Sequence, residues 1–226
     1  MSDDVGTGQR PQLRKDAERN RARILDAARA LIQDHGLDIS HDEIAKAAHV
    51  GVGTVYRRFP TREALFDELF YEELEVLVAT AETAGELEDP WSAIRQFMFR
   101  MFEQQAANRG LRELLIGHRG GTDLARRAQS QIEPVITRLV ARAHTAGRLR
   151  ADIGPTDFPI IVEMLNAVMA ACRDEDPDLW RRYLAVVLDG IATGRRRALP
   201  GQPPDPEQIG RLIGGRGSDG RTRIAP

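Results

Sequence analysis

Residues 40–59, SHDEIAKAAHVGVGTVYRRF, decide the fold of this chain. Ser40 followed three residues later by Glu43 is a capping box, which predicts a helix beginning at His41 with Ile44, Ala45 and Ala48 on its inner side. That helix lasts about two turns before Gly51 breaks it. Residues 52–58 (VGTVYRR) read as a second short helix, closed by Phe59-Pro60. Two short helices joined by a tight turn, with a longer amphipathic helix before them, make helix-turn-helix geometry. The crossing of the two helices needs small residues, and Ala45, Ala47 and Ala48 supply them. On the second helix Val55 and Phe59 face the core. Thr54, Tyr56, Arg57 and Arg58 then offer hydroxyls and guanidinium forks to phosphates and base edges.

Outward from this motif the apolar period is helical almost throughout, and no alternating β-branched run is long enough to read as a strand. Before it, a helix over about 15–35 places Ile24, Ala27, Ala28, Leu31 and Ile32 on one face and ends at Gly36. After it, Thr61 caps a long helix carrying Leu65, Phe66, Leu69, Phe70, Leu74, Leu77, Val78 and Ala81 to about residue 84. Asp89-Pro90 opens the next helix, to about 107. A short helical segment lies near 111–117. Thr122 opens another helix running to Gly147, which Pro134 should kink or split. Residues 156–172 follow, and Asp176-Pro177 starts a last helix reaching Arg195-Arg196-Arg197. The expectation is an all-α chain of about nine helices. An N-terminal arm (1–14) and a Gly- and Pro-rich tail (198–226) are expected to stay flexible and disordered.

Composition suits this reading: 42% hydrophobic, 29% charged and 5% aromatic in 226 residues describe one or two globular domains. The single cysteine, Cys172, excludes an intrachain disulfide and any Cys-rich zinc site, and reads as a small core hydrophobe. No run of 18 apolar residues exists, and the charged first 30 residues do not form a signal peptide, so a cytoplasmic protein without a membrane role is expected. The formal net charge of −2 conceals a strong asymmetry. Residues 10–62 hold eleven basic and seven acidic side chains, whereas residues 63–90 hold ten acidic side chains and no basic one. A basic region confined to one end is compatible with nucleic-acid binding despite the acidic total.

From about residue 17 to 77 the chain resembles the DNA-binding domain of the TetR/AcrR repressors. RARILDAARALIQDHG, then DEIAKAAHVGVGTVYRRFPTREALFDEL, carry the resemblance, above all the Gly-Thr-aliphatic-Tyr-x-x-Phe-Pro run at 53–60 with Glu-Ala-Leu at 63–65. The resemblance implies an N-terminal three-helix helix-turn-helix domain (15–77, motif 40–59). It also implies a C-terminal ligand-binding and dimerisation domain (78–197). By position, Gly53, Thr54 and Tyr56 fall on recognition-helix residues that approach DNA, and Lys46 on a backbone-facing site of the preceding helix. Arg62 matches a basic residue that would reach a phosphate beside a helix N-terminus. Gly51-Val52 stands where the family often has Ser-Lys, which removes a long base reader; Val52 meets a thymine methyl instead, and Arg57 or Arg58 takes up guanine contacts. The implied mechanism is a homodimeric repressor on a palindromic double-stranded operator, released when a small-molecule effector tilts the fourth helix and respaces the recognition helices.

Beyond about residue 80 the resemblance fades and only the residue pattern remains. Trp91, Phe97, Met98, Met101 and Phe102 are candidates to line an effector cavity, with His118, Asn166 and Trp180 as polar anchors; ordinary core is the alternative for each. Residues 158–172 (FPIIVEMLNAVMAAC) are apolar nearly all round, as in a helix buried on two sides. That burial is either internal to one protomer or in a four-helix bundle with a twofold mate, through Ile161, Leu165, Met169, Leu184, Val187, Leu188 and Ile191. The family resemblance favours the dimer. Gly215, Gly217 and Gly220 match a dinucleotide fingerprint but lack the strand before it and the helix after it. His41 reads as a surface or phosphate-facing group, and the Glu72, Glu73, Glu75 cluster as a solvated helix face. No catalytic set, metal site or cofactor is expected. A helix-turn-helix regulator without a small-molecule effector is the alternative function, and a helical enzyme a distant third.

Overall fold

The computed structural model describes residues 9–116, 122–173 and 175–194, with Asp205 and Glu207. Within them the chain is all-α: α1 (Gln9–His35), α2 (His41–Ala48), α3 (Val52–Arg58), α4 (Arg62–Glu86), α5 (Pro90–Ala107), α6 (Arg109–Ile116), α7 (Asp123–Thr145), α8 (Asp157–Ala171) and α9 (Leu179–Ile191). Helix α1 starts at Gln9, so residues 9–14 of the expected arm are helical. Most of the tail, 198–226, lies outside the described residues. The chain divides into two compact units, residues 1–70 and 71–226, the division falling inside α4 rather than after residue 77.

The caps read from the sequence are formed. At α2 the Glu43 N–H donates to Ser40 Oγ (3.2 Å), while the Ser40 N–H donates to Glu43 Oε2 (2.8 Å). The same reciprocity of orphan donors is absent at α4, where only the Ala64 N–H reaches Thr61 Oγ1 (3.2 Å). Asp89 accepts from the Ser92 N–H (3.0 Å) at α5, and Thr122 from the Ala125 N–H (3.1 Å) at α7. Gly36 ends α1 with φ 75° and its N–H on Ile32 O (2.8 Å). Helix α2 stops earlier than Gly51: His49 takes the left-handed conformation (φ 51°), with its N–H on Lys46 O and the Val50 N–H on Ala45 O. Gly51 itself has φ −68° and serves as the N-cap residue of α3 without a side-chain cap.

The first unit buries Ile24, Ala28 and Ile32 of α1, Ile44, Ala45 and Ala48 of α2, Val55 of α3, Phe59, and Leu65, Phe66, Leu69 and Phe70 of α4. In the second unit α5, α7, α8 and α9 enclose one apolar core that includes Phe97, Met98, Phe102, Leu139, Leu165, Trp180 and Leu184. Pro134 does not split α7. Its ring removes one donor to the Ser130 carbonyl, but Pro134 is exposed, so water can take that bond. Helix α9 is shorter than its pattern suggested. It begins at Leu179, and after Ile191 the backbone extends to pair Ala192 with Leu149, with Arg150 N–H on Ile191 O (3.0 Å) and Thr193 N–H on Arg148 O (3.1 Å).

Candidate nucleic-acid interface

Helix α3 is seven residues long and too short to hold itself in water, so its orientation comes from the side chains it buries. Val55 and Phe59 are those anchors, both almost wholly shielded. A third anchor is His41. Its ring lies 4.5 Å from the Tyr56 ring at an interplanar angle of 21°, and its Nε2 is 2.9 Å from the Phe59 carbonyl oxygen. A carbonyl only accepts, so Nε2 carries the proton. His41 is 6% exposed, which corrects its reading as a surface or phosphate-facing group: it ties the first turn of α2 to the end of α3.

The opposite face of α3 is open. Val52 is 41% and Tyr56 50% exposed; Gly53, Arg57 and Arg58 are exposed and Thr54 is half-buried. Nothing lies within 4 Å of a Cβ placed on Gly53, so no neighbour in the chain requires glycine there. Lys46 is exposed on α2, and among the described residues neither it nor Arg57 has a side-chain partner.

Two of the expected phosphate or base contacts are already committed. Arg58 lies 3.5 Å from Glu68 and 5.5 Å above the Phe59 ring. Arg62 donates to the Leu37 carbonyl, sits 3.8 Å from Asp38 and covers the Phe66 ring at 5.7 Å. Arg62 therefore latches the α1–α2 connection to the start of α4 instead of projecting freely. Glu68, which also pairs with Arg21, is the residue that sequence reasoning missed. Its signal was an acid directly beside the core stripe Leu65–Leu69. Arg23 Nη2 on the His49 carbonyl (3.2 Å) fastens α1 to the turn of the motif.

In the second unit Phe97, Met98, Met101 and Phe102 are buried in the core and Trp91 packs against it. Asn166 and Trp180 are also buried, whereas His118 lies outside the described residues. The buried polar residues Gln105 and Arg112 were not among the candidates. Gln105 breaks the apolar stripe of α5 one turn after Phe102, which was the available signal. Ile161, Leu165, Met169, Leu184, Leu188 and Ile191 are buried within the protomer's own core, and Val187 is packed against it. This corrects the expectation that they form the dimer face: on α8 and α9 the exposed large apolar side chains are Met164, Tyr183 and Val186. Among the described residues no group of three or more His, Cys, Asp or Glu is placed to hold a metal ion, and no helix is long and apolar enough to cross a membrane.

Comparison with known proteins agrees with both units. Residues 24–69 match the family model described as bacterial regulatory proteins, tetR family, and residues 89–193 match that of the transcriptional regulator SbtR-like C-terminal domain. An HTH-type transcriptional regulator of Staphylococcus aureus (strain USA300) is 36% identical over 67 residues, 29% of this chain. That match spans only 36% of the relative's length. A TetR transcription regulatory protein from Mycobacterium vanbaalenii is 35% identical, with 80% of this chain and 99% of that chain covered and a TM-score of 0.42. The fold is shared with the TetR family transcriptional regulator PfmR from Thermus thermophilus, at 23% identity, 77% and 98% coverage and a TM-score of 0.58. With a helix-turn-helix unit followed by a helical domain of matching type, the chain belongs to the TetR family of bacterial transcriptional regulators.

Proposed function

We propose that this chain is a homodimeric repressor that binds a palindromic DNA operator through α3 and is released by a small-molecule effector held in the second unit. The observation that carries the reading is the two-sided character of α3. Val55, Phe59 and the His41 stack under Tyr56 immobilise one side, leaving Val52, Gly53, Thr54, Tyr56 and Arg57 on the other. A rigid short helix with hydroxyls, a guanidinium and an apolar group on one open face suits the major groove. Lys46 adds a phosphate contact from α2, whereas the committed geometry of Arg58 and Arg62 gives them a supporting role. Tyr56→Phe and Thr54→Ala weaken operator binding and leave the oligomeric state unchanged.

A second copy covers the outer face of α8 and α9, where Met164, Tyr183 and Val186 are exposed. Two such faces meet isologously. Met164→Glu with Val186→Glu is expected to yield monomers by light scattering, without the collapse of stability that a Leu165 substitution brings. Release works as a population shift through α4, whose residues belong to both units. The protein acts in the cytoplasm, on the nucleoid. Footprinting on the DNA upstream of its own gene tests the core of the reading. Protection of a palindrome supports it, and absence of protection at low salt rejects it. Equal operator affinity with and without bound ligand would remove the effector step alone.

A further inference from the structure

Four buried polar groups of the second unit are left unexplained by its packing. Gln105 on α5 is 1% exposed, and both its amide atoms lack a hydrogen-bond partner. The same holds for both amide atoms of Asn166 on α8, and for the Trp180 indole N–H at the start of α9. Arg112 on α6 is also buried, with no ion pair among the described residues.

The packing of α5 against α9 brings two of these groups to one level. Arg181–Glu103 (2.9 Å) and Arg95–Asp189 (3.8 Å) set α5 and α9 antiparallel, and the Phe102 ring lies 5.8 Å from that of Trp180. Gln105, one turn past Phe102, therefore stands at the level where α9 begins. Asn166 shares the inner face of α8 with Leu165 and Met169, which belong to the same core as Trp180. Arg112 follows on α6, close enough to Arg173, just beyond α8, to feel its charge.

The acids nearby are already engaged or lie beside Arg173: Glu113 accepts from Arg109 Nε (2.7 Å) and Glu73 from the Asn108 amide (3.4 Å), while Glu175 and Asp176 follow Arg173. Around Arg112 itself, Arg173 and Arg109 add positive charge and Glu113 opposes them. Burial first, then repulsion from Arg173, lowers the pKa of Arg112, with Glu113 opposing. A largely buried guanidinium without an ion pair among the described residues, beside more positive charge, with two amides and an indole N–H unmatched, is a set of groups lacking its acceptor.

We propose that Arg112, Gln105, Asn166 and Trp180 form the polar head of the effector site, and that the effector is an organic anion, a carboxylate on an apolar body. The carboxylate accepts from the Arg112 fork, and the amides and the indole take up what remains. The apolar body displaces Met98, Met101 and Met169, whose unbranched side chains repack readily. This rests on the effector reading above and specifies its chemistry.

The test melts full-length protein with decanoate and with 4-phenylbutyrate, each beside its neutral amide. Both or either carboxylate is expected to raise Tm saturably, and the amides are not. In a Trp91→Phe background the same carboxylate shifts the emission of Trp180. Arg112→Gln lowers apparent affinity roughly tenfold or more. Gln105→Leu with Asn166→Leu raises the Tm of ligand-free protein and weakens carboxylate binding. Amides as effective as the acids, an undiminished response in Arg112→Gln, or no response to either carboxylate at millimolar concentration overturns the proposal. The comparison of acid with amide on wild-type protein decides the matter if Arg112→Gln does not fold. Mobility shifts in the same mixtures separate this claim from the one beneath it. Binding at Arg112 without operator release overturns the effector reading and leaves the site, while release by the amides alone does the reverse.

Discussion

His41 does two jobs in the first unit: its Nε2–H satisfies the Phe59 carbonyl and its ring supports Tyr56. Truncation to Ala orphans a buried carbonyl, which costs about 1–3 kcal/mol in urea unfolding. It also frees the Tyr56 ring, so operator affinity falls as well. His41→Phe keeps a ring under Tyr56 but loses the donor. It is expected to lose stability while retaining more operator affinity than His41→Ala, and equal affinities for the two variants would show the stack to be idle. Gly53 makes the opposite prediction. A glycine inside a helix costs about 1 kcal/mol relative to Ala, and nothing in the chain crowds its missing Cβ. Gly53→Ala is therefore expected to raise stability by about that amount and, on the proposal that this space admits the DNA backbone, to weaken operator binding. A variant both more stable and equally tight on DNA would reject the assignment. Of these two, the role proposed for Gly53 comes from the sequence, whereas the position of His41 was not legible there. The role of Gly53 rests on a local run, whereas the partner of His41 is a carbonyl 18 residues away.

At the scale of elements, helix starts were legible because their chemistry is local: Ser40 with Glu43, Asp89 with Ser92, and Thr122 each act within three residues. These caps carry a pH signature. Hydrogen bonds from the Ser40 hydroxyl and N–H hold Glu43 below its ordinary pKa, and those from the Ser92 hydroxyl and N–H do the same for Asp89. A depressed carboxylate pKa contributes stability that is complete above the unfolded value and is lost as pH falls through the folded one. Wild type should thus exceed Glu43→Gln/Asp89→Asn in urea midpoint at pH 7, and the gap should begin to narrow below about pH 4 and go on narrowing as pH falls through the lowered folded values. A gap that stays undiminished throughout the acid range would mean the caps act through shape and not charge. Helix ends were less legible. His49 took the left-handed position that Gly51 was expected to mark, and α9 stops at Ile191 because Leu149, 43 positions earlier, draws Ala192 into an extended pair. The faces of α8 were the hardest to read. A helix apolar nearly all round has no stripe, so periodicity could not separate the inward Ile161, Leu165 and Met169 from the outward Met164.

For the whole molecule the informative quantity is where charge lies along the chain. Eleven basic residues occupy positions 10–62, and the following ten charged residues, through position 90, are all acidic. Such an arrangement can suppress binding to the wrong DNA only if the acids are felt at the interface, and screening decides that. On α4, Glu72 stands about 15 Å along the helix axis from Arg62, and Glu82 about 30 Å. The Debye length is about 30 Å at 10 mM salt and about 8 Å at 150 mM. Repulsion from this segment therefore reaches the basic end at low ionic strength and is largely gone in physiological salt. Glu72→Gln/Glu75→Gln/Glu82→Gln, all exposed positions, should tighten binding to random-sequence DNA at 10 mM salt. The variant should match wild type at 150 mM, with operator affinity at that salt unchanged. The measurement is a salt titration of fluorescence anisotropy on operator and scrambled duplexes. Convergence of the two proteins as salt rises assigns selectivity in the cell to the contacts of α3. A difference that survives at 150 mM would place the acidic stretch of α4 in direct apposition to the duplex and give it a share in choosing the site.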